Sequence, residues 1–200
     1  MKNGVINIDS ARFNQIIAEF GEFEGKVPMA LSRAINRSVS SAKSEAVRTV
    51  RKNYTVKAGQ VNKTIRITRS KPTNLEAVIF SSGASIPLSD FKVSPKTVNP
   101  RRRTAISVEV RRGSKTTLTS SFMARMPNGK VGVFERTGSF GIATKGSHKG
   151  QRREKIEQKF GPAVPVMMNS ESVTQAVQRR AEQQLEDRIP HEINRILGVR

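Results

Sequence analysis

The sequence predicts an α+β fold: an antiparallel sheet of about five strands, flanked by an N-terminal helix pair and a C-terminal amphipathic helix. Three observations predict it. A helical apolar stripe runs through residues 28–52, and a second runs through 170–197. Between them lie stretches of period-two alternation and a hairpin signal, Asn128-Gly129. Helices and strands are therefore segregated along the chain, as in α+β rather than α/β proteins. The 200 residues and 22.1 kDa suit a single domain spanning 1–200.

The helical part covers residues 10–52. Asp9 caps a short helix whose apolar face is Phe13, Ile16, Ile17 and Phe20. Gly21 and Gly25 loosen the link that follows, and Pro28 suits the first turn of a second helix. Val27, Leu31, Ala34, Ile35, Ala42, Ala46 and Val50 form the buried face of that helix. Its other side carries Arg33, Arg37, Lys43, Arg48, Arg51 and Lys52. The many Ala and Ser residues would let a neighbour pack closely.

The strand-rich part covers residues 64–136. A turn and a short helix ending near Thr64 lead into it. Ile65–Arg69 and Leu75–Ser81 read as a hairpin about the turn Lys71–Asn74. Ile86, Leu88 and Phe91 are expected to pin a connection to the core, and 92–103 to be extended and exposed. In Thr104–Arg112, Ile106, Val108 and Val110 alternate with polar residues, which predicts a half-buried strand. Thr119–Ala124 and Val131–Arg136 are two more strands about Pro127-Asn128-Gly129.

Residues 137–155 hold Gly138, Gly141, Gly146 and Gly150 among basic and small polar residues, which predicts a basic mobile loop. An apolar register returns at Ile156, Phe160, Val164, Met167 and Met168. The last helix, 170–197, starts near Asn169 or Ser170 with Glu171 in its first turn. Val173, Val177, Leu185, Ile189, Ile193 and Ile196 mark its inner face, and Pro190 should break or kink it.

Charge is the strongest compositional signal. Against 16 Asp+Glu stand 36 Lys+Arg, a formal +20. The last thirty residues are neutral, so the excess lies in the body of the chain. Such an excess is far above the ~2–8 charges that solubility asks for. It points to a polyanion or an acidic protein partner. The densest spots are Arg101-Arg102-Arg103, Arg111-Arg112, and the stretch with Lys145, Lys149, Arg152 and Arg153.

Several function classes lack their residues. With no Cys, the chain can form no disulfide and offers no thiolate metal site. The longest apolar runs, such as Ala77–Phe80, are too short to cross a bilayer, so no membrane is expected as a partner. Met1–Asp9 lacks the apolar core of a secretory peptide. His148 and His191 have no metal-binding or catalytic partner at useful spacing. No Gly-Lys-Ser/Thr phosphate loop occurs. Asp90, Glu109 and Glu135 lie near strands and are the residues on which a magnesium-dependent nuclease would have to be built. With no Trp, one Tyr (Tyr54) and nine Phe, most of them on apolar stripes and so read as core, stacking on single-stranded bases is not supported. Contact with nucleic acid would then be to phosphates, without reading sequence. No cofactor is expected.

The order of landmarks resembles the prophage minor tail protein Z family, the tail completion proteins of long-tailed phages. The resemblance starts at Ala34-Ile35-Asn36-Arg37 and Ala42–Ala46, followed by Tyr54–Gly59 with Val61. It continues through Pro87-Leu88 with Phe91, Val108–Gly113, Phe122-Met123-Ala124 and Val133–Arg136. It closes with Ile156, Gly161-Pro162, Pro165 and the final amphipathic helix. The resemblance implies a single tail-completion domain with structural work and no catalytic residues. It implies a ring around the axial channel where the tail tube meets the head connector, expected to be a hexamer. Its partners would be copies of itself, tail terminator and tail tube proteins, head–tail connector proteins, and genomic double-stranded DNA without sequence specificity. Its place would be the virion, after assembly in the host cytoplasm.

On this reading Arg101, Arg102, Arg103, Arg111, Arg112, Lys145, Lys149, Arg152 and Arg153 face genome phosphates or an acidic neighbouring ring. Two other readings compete. One is a free cytoplasmic protein that binds nucleic acid without sequence preference. The other is the nuclease built on Asp90, Glu109 and Glu135.

Overall fold

The fold is that of a computed structural model, which describes residues 3–7, 16–18, 25–146 and 148–198. It is α+β, as predicted, with helices toward both ends of the chain and antiparallel strands between. The described strands do not join one five-stranded sheet. They form three three-stranded sheets and one two-stranded pair. The chain groups into two compact units: residues 1–50, 58–83 and 164–200 in the first, and residues 51–57 and 84–163 in the second.

In the first unit, helix α1 spans Val27–Asn53, though its last turn is assigned to the second unit. The predicted stripe is its buried face: Leu31, Ala34, Ile35, Ala42, Ala46 and Val50 are fully enclosed. Pro28 sits in the first turn, where its missing N–H costs nothing. Arg51 and Lys52 lie in the last turn, where cations oppose the helix dipole favourably. Helix α2, Ala58–Thr64, leads into strand β2, Ile65–Thr68. Strand β3, Val78–Ser81, pairs with β2 in the predicted hairpin, with Ile67 opposite Ile79. Asn36 of α1 clamps the turn, accepting from Ser70 N–H and donating to Ser70 C=O, both at 3.0 Å. A strand not predicted, β1 (Asn3–Asn7), lies on the other edge of β3. Of the predicted first helix only residues 16–18 are described, and they are helical. Asp9, Phe13 and Phe20 lie outside the described residues.

The first unit closes with α3 (Val164–Met168) and α4 (Glu171–Leu197). Ser170 occupies the N-cap position of α4, and Gly198, with φ 72°, ends it in the left-handed conformation. Pro190 does not end the helix, which continues to Leu197. Buried Leu185 and Ile193 hold the chain on both sides of the proline, so packing outweighs one lost backbone hydrogen bond. Ser38 Oγ of α1 donates to the Ala181 carbonyl of α4, and Arg180 Nε donates to Ser41 Oγ at 2.9 Å.

In the second unit, β4 (Ser85–Pro87) pairs with β11 (Phe160–Ala163). A 3₁₀ turn at Leu88–Asp90 follows β4, and β5 is Lys92–Ser94. Ile86, Leu88 and Phe91 are buried, as expected. Strand β6, Ile106–Glu109, lies between β5 and β7 (Lys115–Leu118). Strand β7 was not predicted: Lys115, Thr116 and Thr117 are all exposed, so it carries no apolar alternation. Strand β8, Ser121–Arg125, and β9, Val131–Ile142, form the Asn-Gly hairpin, with Gly129 at φ 79°.

The segment 137–155 departs most from expectation. Strand β9 extends to Ile142 and pairs with β10, Arg152–Gln158, so that of the described residues only 143–146 and 148–151 lie outside the ladder between them. The backbone ladder, with a bulge between Glu154 and Ile156, supplies the order that the composition did not announce. The expected apolar anchors after it also split. Val164, Met167 and Met168 are buried, but Ile156 and Phe160 are exposed.

Candidate anion-binding interface

The nine predicted basic residues fall in three places, all in the second unit. The first is the loop between β5 and β6. There Asn99 builds a turn: its C=O accepts from Arg102 N–H at 3.2 Å, and its Oδ1 accepts from Arg101 N–H at 3.0 Å. That turn presents Arg102 and Arg103 to a half-enclosed cavity of about 760 Å³. Phe122 and Met123 of β8 form part of its wall. So do two arginines that were not predicted, Arg125 of β8 and Arg136 of β9. Arg101 does not line it.

The cavity is electrostatically unbalanced. Arg136 Nη1 lies 3.1 Å from Glu154 Oε2, and its guanidinium lies 5.4 Å above the Phe122 ring centroid. Arg125 Nη1 approaches the Gly129 carbonyl at 3.4 Å. Arg102 is half-buried, and its Nη1 is enclosed with no hydrogen-bond partner among the described residues. A buried, unpaired guanidinium donor costs about 1–3 kcal/mol. An anion in the cavity would be drawn to this uncompensated charge.

The second place is the turn after β6. The Arg111 guanidinium lies 5.6 Å from the Tyr54 ring centroid. Arg112 Nε donates to the Arg51 carbonyl at 2.7 Å. These two arginines hold the 51–57 segment, so their side chains already have structural work. The third place is the β9–β10 hairpin. Lys145 and Lys149 lie in its exposed turn, and Arg152 and Arg153 open β10. Arg152 lies opposite Ile142, with its guanidinium 5.1 Å from the Phe140 ring centroid. Arg153 lies opposite Gly141, on the other face. Phe140 is exposed, an exception to the reading of most phenylalanines as core.

The first unit adds basic grooves whose arginines form no run in the sequence. Arg33 and Arg37 of α1, Arg69, and Arg188 of α4 line a groove of about 380 Å³. Further along the same two helices, Arg48, Arg179 and Arg180 line a second groove, of about 670 Å³. Charge spread at helical spacing makes no run in the sequence, although the Arg33–Arg37 interval of one turn was a usable signal.

Two of the three carboxylates on which a nuclease would be built, Glu109 and Glu135, are engaged by cations. Glu109 Oε2 lies 2.8 Å from Lys92 Nζ, and Glu109 Oε1 accepts from Gly113 N–H at 2.9 Å. The Lys92 hydrogen bond, then the Gly113 N–H, hold its carboxyl below the usual range. Glu135 Oε2 lies 2.6 Å from Lys159 Nζ, and Oε1 accepts from the Ser120 hydroxyl. That lysine chiefly lowers the Glu135 carboxyl, and Glu135 in turn raises the Lys159 ammonium. His148 Nδ1 lies 3.1 Å from Gln151 Oε1 in the hairpin turn, and His191 is exposed on α4. Among the described residues no three His, Asp or Glu side chains are grouped to hold a metal ion. Among them also, no helix is long and apolar enough to cross a membrane.

A model of the prophage minor tail protein Z family matches residues 14–199. Comparison with curated proteins and with solved structures gave no significant match.

Proposed function

Because the chain belongs to the prophage minor tail protein Z family, a structural component of the phage tail and so of the virion, we propose that it completes the tail at the head–tail junction. On this reading copies of the chain form a ring, expected to be a hexamer, around the DNA channel. Neighbours are tail terminator, tail tube and connector proteins. The work is binding and packing, with no bond made or broken.

The observation that carries the electrostatic part is the clustering of arginines in grooves with few carboxylates. Around the α1–α4 groove, Arg33, Arg69 and Arg188 have no ion pair among the described residues. An open polar groove along two helices suits a phosphate backbone, which is contacted by charge and without base reading.

Two measurements test the proposal. Labelled protein should appear at the head–tail joint of imaged particles, and particles lacking the chain should carry unfinished tails. Purified protein should bind duplex DNA in a salt-sensitive way. Neutralising about six phosphates would weaken binding by roughly 10³–10⁵ between about 50 and 200 mM salt. Absence from particles, together with co-purification with host nucleic acid, would instead favour a free cytoplasmic nucleic-acid-binding protein.

A further inference from the structure

We propose that the cavity between the 98–105 loop and β8 is a socket for an acidic segment, tipped by an apolar side chain, of a neighbouring protein. The inference rests on the structural reading above only in taking that neighbour to be another tail protein. Three features define the occupant.

The socket is a recess, half-enclosed and about 760 Å³ in volume. A peptide side chain can descend into such a recess. The phosphates of a duplex lie on a wide convex surface and are met by open grooves or projecting side chains. The α1–α4 groove has that open form; this cavity does not.

Its wall is mixed. Phe122 and Met123 supply apolar surface beside the guanidinium groups of Arg102, Arg103 and Arg136. An occupant carrying only charge would leave the apolar wall uncovered, and one carrying none would leave Arg102 and Arg103 without an ion pair.

Arg102 decides the chemistry. Its Nη1 is buried without a partner among the described residues, while the Asn99 turn fixes its backbone. The planar guanidinium of Arg102, a cavity-lining residue, matches the two oxygens of a carboxylate, and lysine at the same position could not form that fork. Arg103, exposed at the mouth, supplies a second charge that draws an acidic segment in.

The test uses the full-length protein and a fluorescein-labelled peptide of alternating Glu and Leu, followed by fluorescence polarisation at physiological salt. A peptide with Gln in place of every Glu and a short duplex DNA serve as comparisons. The acidic peptide should bind at least about tenfold more tightly than the Gln peptide, and Arg102→Lys should weaken it by at least about tenfold, the loss expected of a central interface arginine. Lys63→Met removes one positive charge from an exposed site on α2, outside the socket, and should change binding by less than about twofold. Should Arg102→Lys fold poorly by circular dichroism, Arg103→Met carries the test, because Arg103 is exposed. Equal binding of the two peptides, or equal losses in the Arg102 (or Arg103) and Lys63 variants, would overturn the proposal. So would displacement of the peptide by duplex DNA, which would make nucleic acid the occupant. Particle labelling judges the tail role independently, so either idea can fail alone.

Discussion

Arg37 and Glu192 join α1 to α4 through a carboxylate that is almost entirely enclosed. Arg37 Nε lies 3.3 Å from Glu192 Oε1, with the arginine side chain 53% exposed and the glutamate 1% exposed. Arg195, one turn along α4, approaches Oε2 at 3.7 Å. Neither carboxylate oxygen has a well-formed hydrogen bond among the described residues, so the two guanidinium charges compensate the burial.

That dependence makes Arg37→Leu costly. The variant leaves the enclosed carboxylate with the more distant Arg195 alone, and stability should fall by about 3 kcal/mol. Glu192→Gln removes the buried charge itself and should cost less. Urea denaturation of both single variants and the double variant checks this: the double variant should be more stable than the sum of the two losses implies.

Small residues on α1 permit close packing. Ala42 is fully enclosed, so a larger side chain must displace its neighbours. Ala42→Leu should destabilise by about 1–3 kcal/mol, read as a lower thermal midpoint, while Ser44→Leu on the exposed side of the same helix should change it little.

Gly161 in β11 touches the ring of Phe91. A Cβ added there would meet Phe91 Cε2 at 2.7 Å, and Phe91 is buried with little room to turn. Gly161→Ala should cost about 1–3 kcal/mol by overpacking, and Phe91→Leu in the same chain should recover part of it. Thermal denaturation of the two single variants and the pair measures this.

The Lys92–Glu109 pair predicts acid sensitivity. The folded state holds the Glu109 carboxyl below its ordinary value of 4.5, so the stabilisation is complete above that value. It is lost as pH falls through the depressed folded value. The stability advantage of the native chain over Glu109→Gln should therefore shrink as pH drops below about 4.5, in thermal melts across a pH series. An advantage that is flat with pH would remove the pair as its source.

Much of the fold follows from local pattern. The α1 stripe from Val27 to Val50 is legible because one face of a long helix must repeat every three to four residues. The β2–β3 and β8–β9 hairpins are legible because alternation and turn residues lie close together in the chain. The excess of positive charge is compositional and needs no fold at all.

The rest required the tertiary structure. Strands β7 and β10 carry no buried alternation, and backbone pairing to β6 and β9 gives them their form. Sheet membership is equally remote, which is why the strands resolve into several small sheets rather than one. The basic site shows the same division. Arg102 and Arg103 stand out as a run, but Arg125 and Arg136 reach the same cavity from separate strands. Likewise Arg33, Arg37 and Arg188 meet only because α1 and α4 pack side by side. Local sequence determined which segments would be helix or hairpin and which sign of charge they would carry. Long-range packing decided which of those charges share a surface, because proximity in space depends on contacts between residues far apart in the chain.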